Sequence, residues 1–112
     1  MAEGRHPGPE VLHLGPEAFR DLPAEAQVVD VREAWEWELG HLPRARHIPL
    51  GQLPERCGEL DPARPVALYC HHGVRSLHAL AFLKRQGFPD VVHLSGGTEA
   101  WRRVDPDFPS YG

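Results

Sequence analysis

Two short aliphatic runs stand out from a chain whose apolar residues are otherwise scattered among polar ones: Val28, Val29 and Val31 around Asp30, and PVALY from Pro65 to Tyr69. Both have strand length and end in polar or charged residues, so each predicts a β-strand. Both are nearly all apolar, as strands buried on two faces are. Weaker strand candidates lie at Val11 to Leu14, at Arg46 to Leu50 where Pro49 cuts the run short, and at Val91 to Leu94. Helical signals fall between them. Pro16 suits the first position of a helix through about Asp21, with Pro23 as its stop. EAWEWEL, Glu33 to Leu39, has high helix propensity, with Gly40 placed as its cap. QLPERCGEL, Gln52 to Leu60, reads as a short helix or turn with Leu53 and Leu60 facing inward. Leu77, Leu80 and Ala81 stand at helical spacing, widened by Ala79, Phe82 and Leu83 until Gly87 ends the pattern. Thr98 to Val104 is a last short helix around Trp101. Strands alternating with helices predict an α/β fold, a mainly parallel central sheet of about five strands with helices on both faces. Residues 1–9 read as a flexible N-terminal arm, 10–104 as the domain and 105–112, DPDFPSYG, as an extended tail.

Composition narrows the class. With 112 residues, 41% of them hydrophobic and 25% charged, the chain is large enough for one core without disulfide or metal support. The formal net charge of −4, with no basic cluster, argues against a nucleic-acid partner. No run approaches the ~18 apolar residues of a membrane span, and MAEGRHPGPE lacks the apolar centre of a secretory signal, so no membrane partner and a cytoplasmic location are expected. Cys57 and Cys70 alone do not make a disulfide framework. At least one thiol is expected.

The candidate chemistry sits in YCHHGVRS, Tyr69 to Ser76. Cys70 falls at the carboxyl end of the second strong strand, where ligands gather in open α/β sheets. The loop HHGVRS then opens a helix whose first amides lack partners and welcome an anion. A free thiol ionises near pH ~8.5, and shifting that to about 7 takes roughly 2 kcal/mol, whereas a helix terminus supplies ~0.3 to 1 kcal/mol. Converging loop amides with Arg75 as a permanent cation would supply the rest, and Gly73 lets the loop turn without a side chain in its centre. Cys57, in PERCGEL, has no such setting and reads as structural. His71 and His72 beside Cys70 invite a metal reading with Cys57. Consecutive ligands rarely converge, however, so no metal is expected and the two histidines are read as edging the pocket.

Taken together, VVDVRE at 28–33, GHLPRARHIPL at 40–50, YCHHGVRS at 69–76 and LSGGTEAW at 94–101 resemble, in order, the signature motifs of the single-domain rhodaneses, or sulfurtransferases. The resemblance spans roughly Glu10 to Val104. It implies that Cys70 is the nucleophile, that the loop amides from His71 through His72, Gly73 and Val74 to Arg75, with Ser76 at the helix start, cradle an anion, and that Arg75 closes the ring. Asp30 and Arg32 would brace the loop near the same crevice, or equally form a structural ion pair. His41 would order its own turn. Arg44 stands where the family often has glycine, which puts the local turn in doubt. The implied reaction passes a sulfane sulfur from a small sulfur-containing anion such as thiosulfate, through a persulfide on Cys70 and without a further cofactor, to cyanide, a thiol or a protein acceptor. Two rivals remain. Phosphatase or arsenate reductase relatives place five residues between Cys and Arg where HHGV supplies four, and some members of the fold act as docking modules without turnover.

Overall fold

Alternation along each short strand decides the architecture, because neighbouring side chains leave a strand on opposite faces. Val29, Val66, Leu68 and Val91 point to one face and Val28, Ala67, Tyr69 and Leu94 to the other, and both sets are buried in separate apolar clusters. The structure, a computed structural model, describes residues 12–112, so the expected arm and Val11 lie outside the described residues. Its elements run β1 (His13–Leu14), α1 (Pro16–Arg20), β2 (Gln27–Asp30), α2 (Ala34–Leu39), β3 (Arg46–His47), α3 (Leu53–Arg56), β4 (Val66–Tyr69), α4 (Val74–Arg85), β5 (Val91–Leu94) and α5 (Gly97–Trp101). The sheet order is β1-β5-β4-β2-β3, and every pairing is parallel. β4 is therefore central, between β2 and β5.

One face of the sheet is covered by Leu53 of α3, Leu60 beyond it, and Ala79, Leu80 and Leu83 of α4. The other is covered by Phe19 of α1, Trp101 of α5 and Phe108. Among the described residues no helix is long and apolar enough to cross a membrane. Both cysteines are free.

Two expectations need correction. α4 begins at Val74, and its buried stripe is Ser76, Ala79, Leu80 and Leu83. That set has the spacing of one helical face, but its first member is a serine, so the apolar pattern alone placed the face one residue out. Leu77 is consequently 41% exposed, and Ala81 faces solvent too. Segment 105–112 is no free tail: Phe108 is buried in the second core cluster, and Tyr111 reaches back toward the end of β4. Arg44 holds the left-handed backbone that a glycine there would favour. It adopts a left-handed φ of 56°, while its guanidinium donates to the carbonyls of Ala24 at 3.0 Å and Pro23 at 3.3 Å. Those bonds offset the strain a side chain meets there.

Candidate active site

Cys70 follows β4 directly and is 1% exposed, at the edge of the first core cluster. Its Sγ accepts the Gly73 N–H at 3.1 Å and the Ser76 N–H at 3.3 Å, and stands 3.5 Å from the Ser76 hydroxyl. The loop achieves this because Gly73 takes φ 100° and caps α4, turning the chain so that the first helical turn faces back over the sulfur. Among the described residues, the amides of His71, His72, Val74 and Arg75 have no hydrogen-bond partner. Two loop donors are thus satisfied by the sulfur, and four others in the same loop are open.

The β5–α5 turn fixes the loop from below. The Thr98 amide donates to Cys70 O at 2.8 Å and the Glu99 amide to His71 O at 3.2 Å. Gly97 makes that approach possible: a Cβ there would lie 2.3 Å from the His71 carbonyl carbon. The LSGG motif is therefore a seat for the neighbouring loop.

Arg75 does not close over the sulfur. Its guanidinium pairs with Glu36 of α2, Nη1 to Oε1 at 2.6 Å and Nη2 to Oε2 at 2.9 Å. That pair raises the Arg75 pKa, so its cation acts on Cys70 through space rather than by contact. Burial works to raise the Glu36 pKa, but hydrogen bonds from Arg75, the Glu33 amide and Tyr111 outweigh it and bring the carboxyl down to about 2. Glu33 and Glu36 also form a reciprocal capping box at the start of α2.

Asp30 and Arg32 form a two-point ion pair with no exposed side-chain surface, Arg32 Nη2 lying 2.7 Å from Asp30 Oδ2. Tyr69 donates its hydroxyl proton to the same carboxylate at 2.7 Å, and Arg32 also donates to Gly40 O at 2.7 Å. Burial opposes the Arg32 charge, and Asp30 more than offsets it, holding the group above its ordinary pKa. The pair reaches the loop through one residue. Tyr111 accepts from Arg32 Nη1 at 2.9 Å and donates to Glu36 Oε2 at 2.7 Å, linking Asp30, Arg32, Glu36 and Arg75 in a line of alternating charge.

His71 does not edge the sulfur with a free ring. It is buried, stacks on Tyr111 with ring centres 3.9 Å apart, and meets Glu99 at 2.8 Å. His72 is exposed beside it. His41 stacks on Trp37 and bonds its carbonyl, ordering the turn after α2. Among the described residues no group of three or more His, Cys, Asp or Glu side chains could hold a metal. Reading the sequence missed Glu36, Tyr111, Glu99, His13 and His93. Glu36 alone left a signal, as the third-residue partner of Glu33 in a capping box.

The chain as a whole resembles known proteins. A rhodanese-like domain profile matches residues 16–104. The chain belongs to the rhodanese-like family. Within that family it is 39% identical over 100 residues to a thiosulfate sulfurtransferase, GlpE, of Pseudomonas paraeruginosa, covering 88% of this chain and 91% of that protein. The YqhL protein of Bacillus subtilis is 43% identical over 88 residues, 79% of this chain and 70% of that one. The crystal structure of a rhodanese-related protein from Thermoplasma volcanium superposes with a TM-score of 0.66 at 32% identity, covering 76% of this chain and 82% of that chain. The family match thus runs along most of the described residues.

Proposed function

We propose that this rhodanese-like protein is a sulfurtransferase in which Cys70 carries the sulfur. The Cys70 thiolate attacks the outer sulfur of a donor such as thiosulfate, the sulfur–sulfur bond of the donor breaks, and sulfite leaves with the bonding pair. The persulfide then gives its outer sulfur to cyanide or a thiol, and the Cys70 thiolate returns. Charge is conserved in both steps, and no cofactor is drawn on. The observation that carries this reading is the pair of amides, from Gly73 and Ser76, aimed at Cys70 Sγ inside a loop whose other amides are open. Fixed donors of this kind stabilise sulfur anions without reorganising during the reaction. The open amides of His71, His72, Val74 and Arg75 suit the oxygens of the departing sulfite.

A protein acceptor also has support. Val74 is 63% exposed and Leu77 41% on the first turns of α4, an apolar collar beside the loop. A thiol kept reduced for this cycle suits a reducing compartment such as the cytoplasm.

Intact-mass measurement after thiosulfate treatment tests the reading. Wild type and Cys57→Ser gain one sulfur atom, while Cys70→Ser does not. A well-folded wild type of unchanged mass would favour a docking module instead.

A further inference from the structure

Cys70 is nearly closed off from solvent, so its proton needs a way out before the sulfur can react. The structure offers one. Ser76 Oγ, 3.5 Å from Cys70 Sγ, lies 2.9 Å from Nδ1 of His93, and Nε2 of His93 lies 2.8 Å from Nδ1 of His13. Ser76 and His93 are buried, whereas His13 on the edge strand β1 is exposed. A line of exchangeable protons therefore runs from the sulfur, across β5, to the protein surface.

We infer that Ser76, His93 and His13 form a proton relay that carries the Cys70 thiol proton to solvent. This rests on the reading of Cys70 as the reacting nucleophile. In the resting state Cys70 S–H donates to Ser76 Oγ, Ser76 O–H to His93 Nδ1, and His93 Nε2–H to His13 Nδ1. On ionisation each proton moves one place along. The S–H bond breaks as Ser76 Oγ takes its proton, and Ser76 gives its former proton to Nδ1 of His93. His93 passes the Nε2 proton to Nδ1 of His13, which releases a proton from Nε2 to water. No net charge stays on either imidazole. Every hydrogen bond then points the other way, so the Ser76 hydroxyl becomes a third donor to the thiolate, beside the Gly73 and Ser76 amides.

The surroundings suit a neutral carrier. His93 is faced by Ser76 from α4 and by His13 from β1, while the charged groups at the loop are engaged elsewhere, Glu36 with Arg75 and Glu99 with His71. Burial, with His13 adding to it, pushes the His93 pKa down to about 4, so near neutral pH the ring keeps one proton and can exchange which nitrogen holds it. The hydroxyl of Ser76 also lies 3.3 Å from Gly73 O, an alternative acceptor for its single proton. Serine and histidine here position and move a proton; neither touches the donor.

Imidazole-nitrogen NMR of the full chain, titrated alongside the ultraviolet absorbance of the thiolate, tests the relay. The expected result is that the His93 proton moves from Nε2 to Nδ1 over the same pH interval in which the thiolate forms, and that Cys70→Ala abolishes this change. A tautomer that stays fixed as thiolate forms, or that changes equally in Cys70→Ala, would overturn it. In a Cys57→Ser background, His13→Ala should slow exchange of the Cys70 thiol proton for solvent deuterium, followed by its infrared S–H stretch, by about tenfold, and added imidazole should restore it. Equal rates with and without His13 would remove it from the relay. Neither readout uses a sulfur donor, so a failed relay is distinguishable from failed sulfur loading in the intact-mass assay.

Discussion

Arg75 and Glu36 meet in a two-point pair at 2.6 and 2.9 Å, with the carboxylate side chain 3% exposed and the guanidinium 33% exposed. The asymmetry in burial has an energetic consequence. Removing Arg75 strands a carboxylate inside the protein, whereas neutralising Glu36 leaves a cation that can turn to water.

Arg75→Ala is therefore expected to destabilise the fold more than Glu36→Gln does, by about 4 to 5 kcal/mol against about 3 kcal/mol in chemical denaturation. The double variant should show a coupling of about 1 to 2 kcal/mol. Equal losses with no coupling would mean that the pair carries no weight. Arg75→Ala should also slow sulfur loading, by less than an arginine in contact with the sulfur would.

Acid should weaken the protein in two successive, overlapping steps. His93 ionises at about 4 in the folded chain against an ordinary 6.5, so the unfolded chain binds its proton first and stability is lost as pH falls between those values. Glu36 ionises at about 2 against an ordinary 4.5, so its contribution, complete above 4.5, is lost below that. Each loss is on the order of 3 kcal/mol when complete. Denaturation midpoints measured against pH should show both, and His93→Gln should remove only the upper one.

Sequence pattern carried the sheet and the loop because both are written locally. Val28 to Val31 and Val66 to Tyr69 are apolar on both faces, and Cys70, Gly73 and the start of α4 are contiguous. What the pattern could not show lies where distant elements meet. Glu36 occupies the buried side of α2 while Trp35 is 59% exposed, the reverse of what hydrophobicity suggests, because Glu36 has Arg75 and Tyr111 as partners. The approach of Arg32 to Arg75 depends on a tyrosine 36 positions beyond the latter, on a segment that reads as an unattached end. His13 and His93 sit on strands adjacent only through the sheet order.

Tyr111 should behave as a structural bridge. Tyr111→Phe removes the hydroxyl that joins Arg32 to Glu36 and should cost about 1 to 2 kcal/mol, since both partners lie in poorly hydrated surroundings. Deleting residues 110–112 also uncovers the His71 ring and takes the Ser110 hydroxyl from Glu99. Hydrogen exchange of the Gly73 and Ser76 amides, the two loop amides bonded to Cys70, should then speed up, while amides in β2 stay protected. Unchanged exchange in the loop would show that the segment does not hold it.

Gly97 is the most sensitive glycine at the site, because its φ of 62° and the space above it both exclude a side chain. A Cβ would fall 2.3 Å from the His71 carbonyl oxygen and 2.5 Å from that of Cys70, inside contact distance of backbone that has nowhere to go without breaking the bonds from Thr98 and Glu99. Gly97→Ala should therefore cost about 2 kcal/mol or more in stability and displace the loop, so that whatever protein remains folded loads sulfur at least about tenfold more slowly. Gly58→Ala is the matched control: nothing lies within 4 Å of its Cβ and its backbone is not left-handed, so both stability and loading should stay at wild-type values. If Gly97→Ala loads at the wild-type rate, the amides over Cys70 do not depend on the turn beneath them, and the motif around Gly97 has some other purpose than seating the loop.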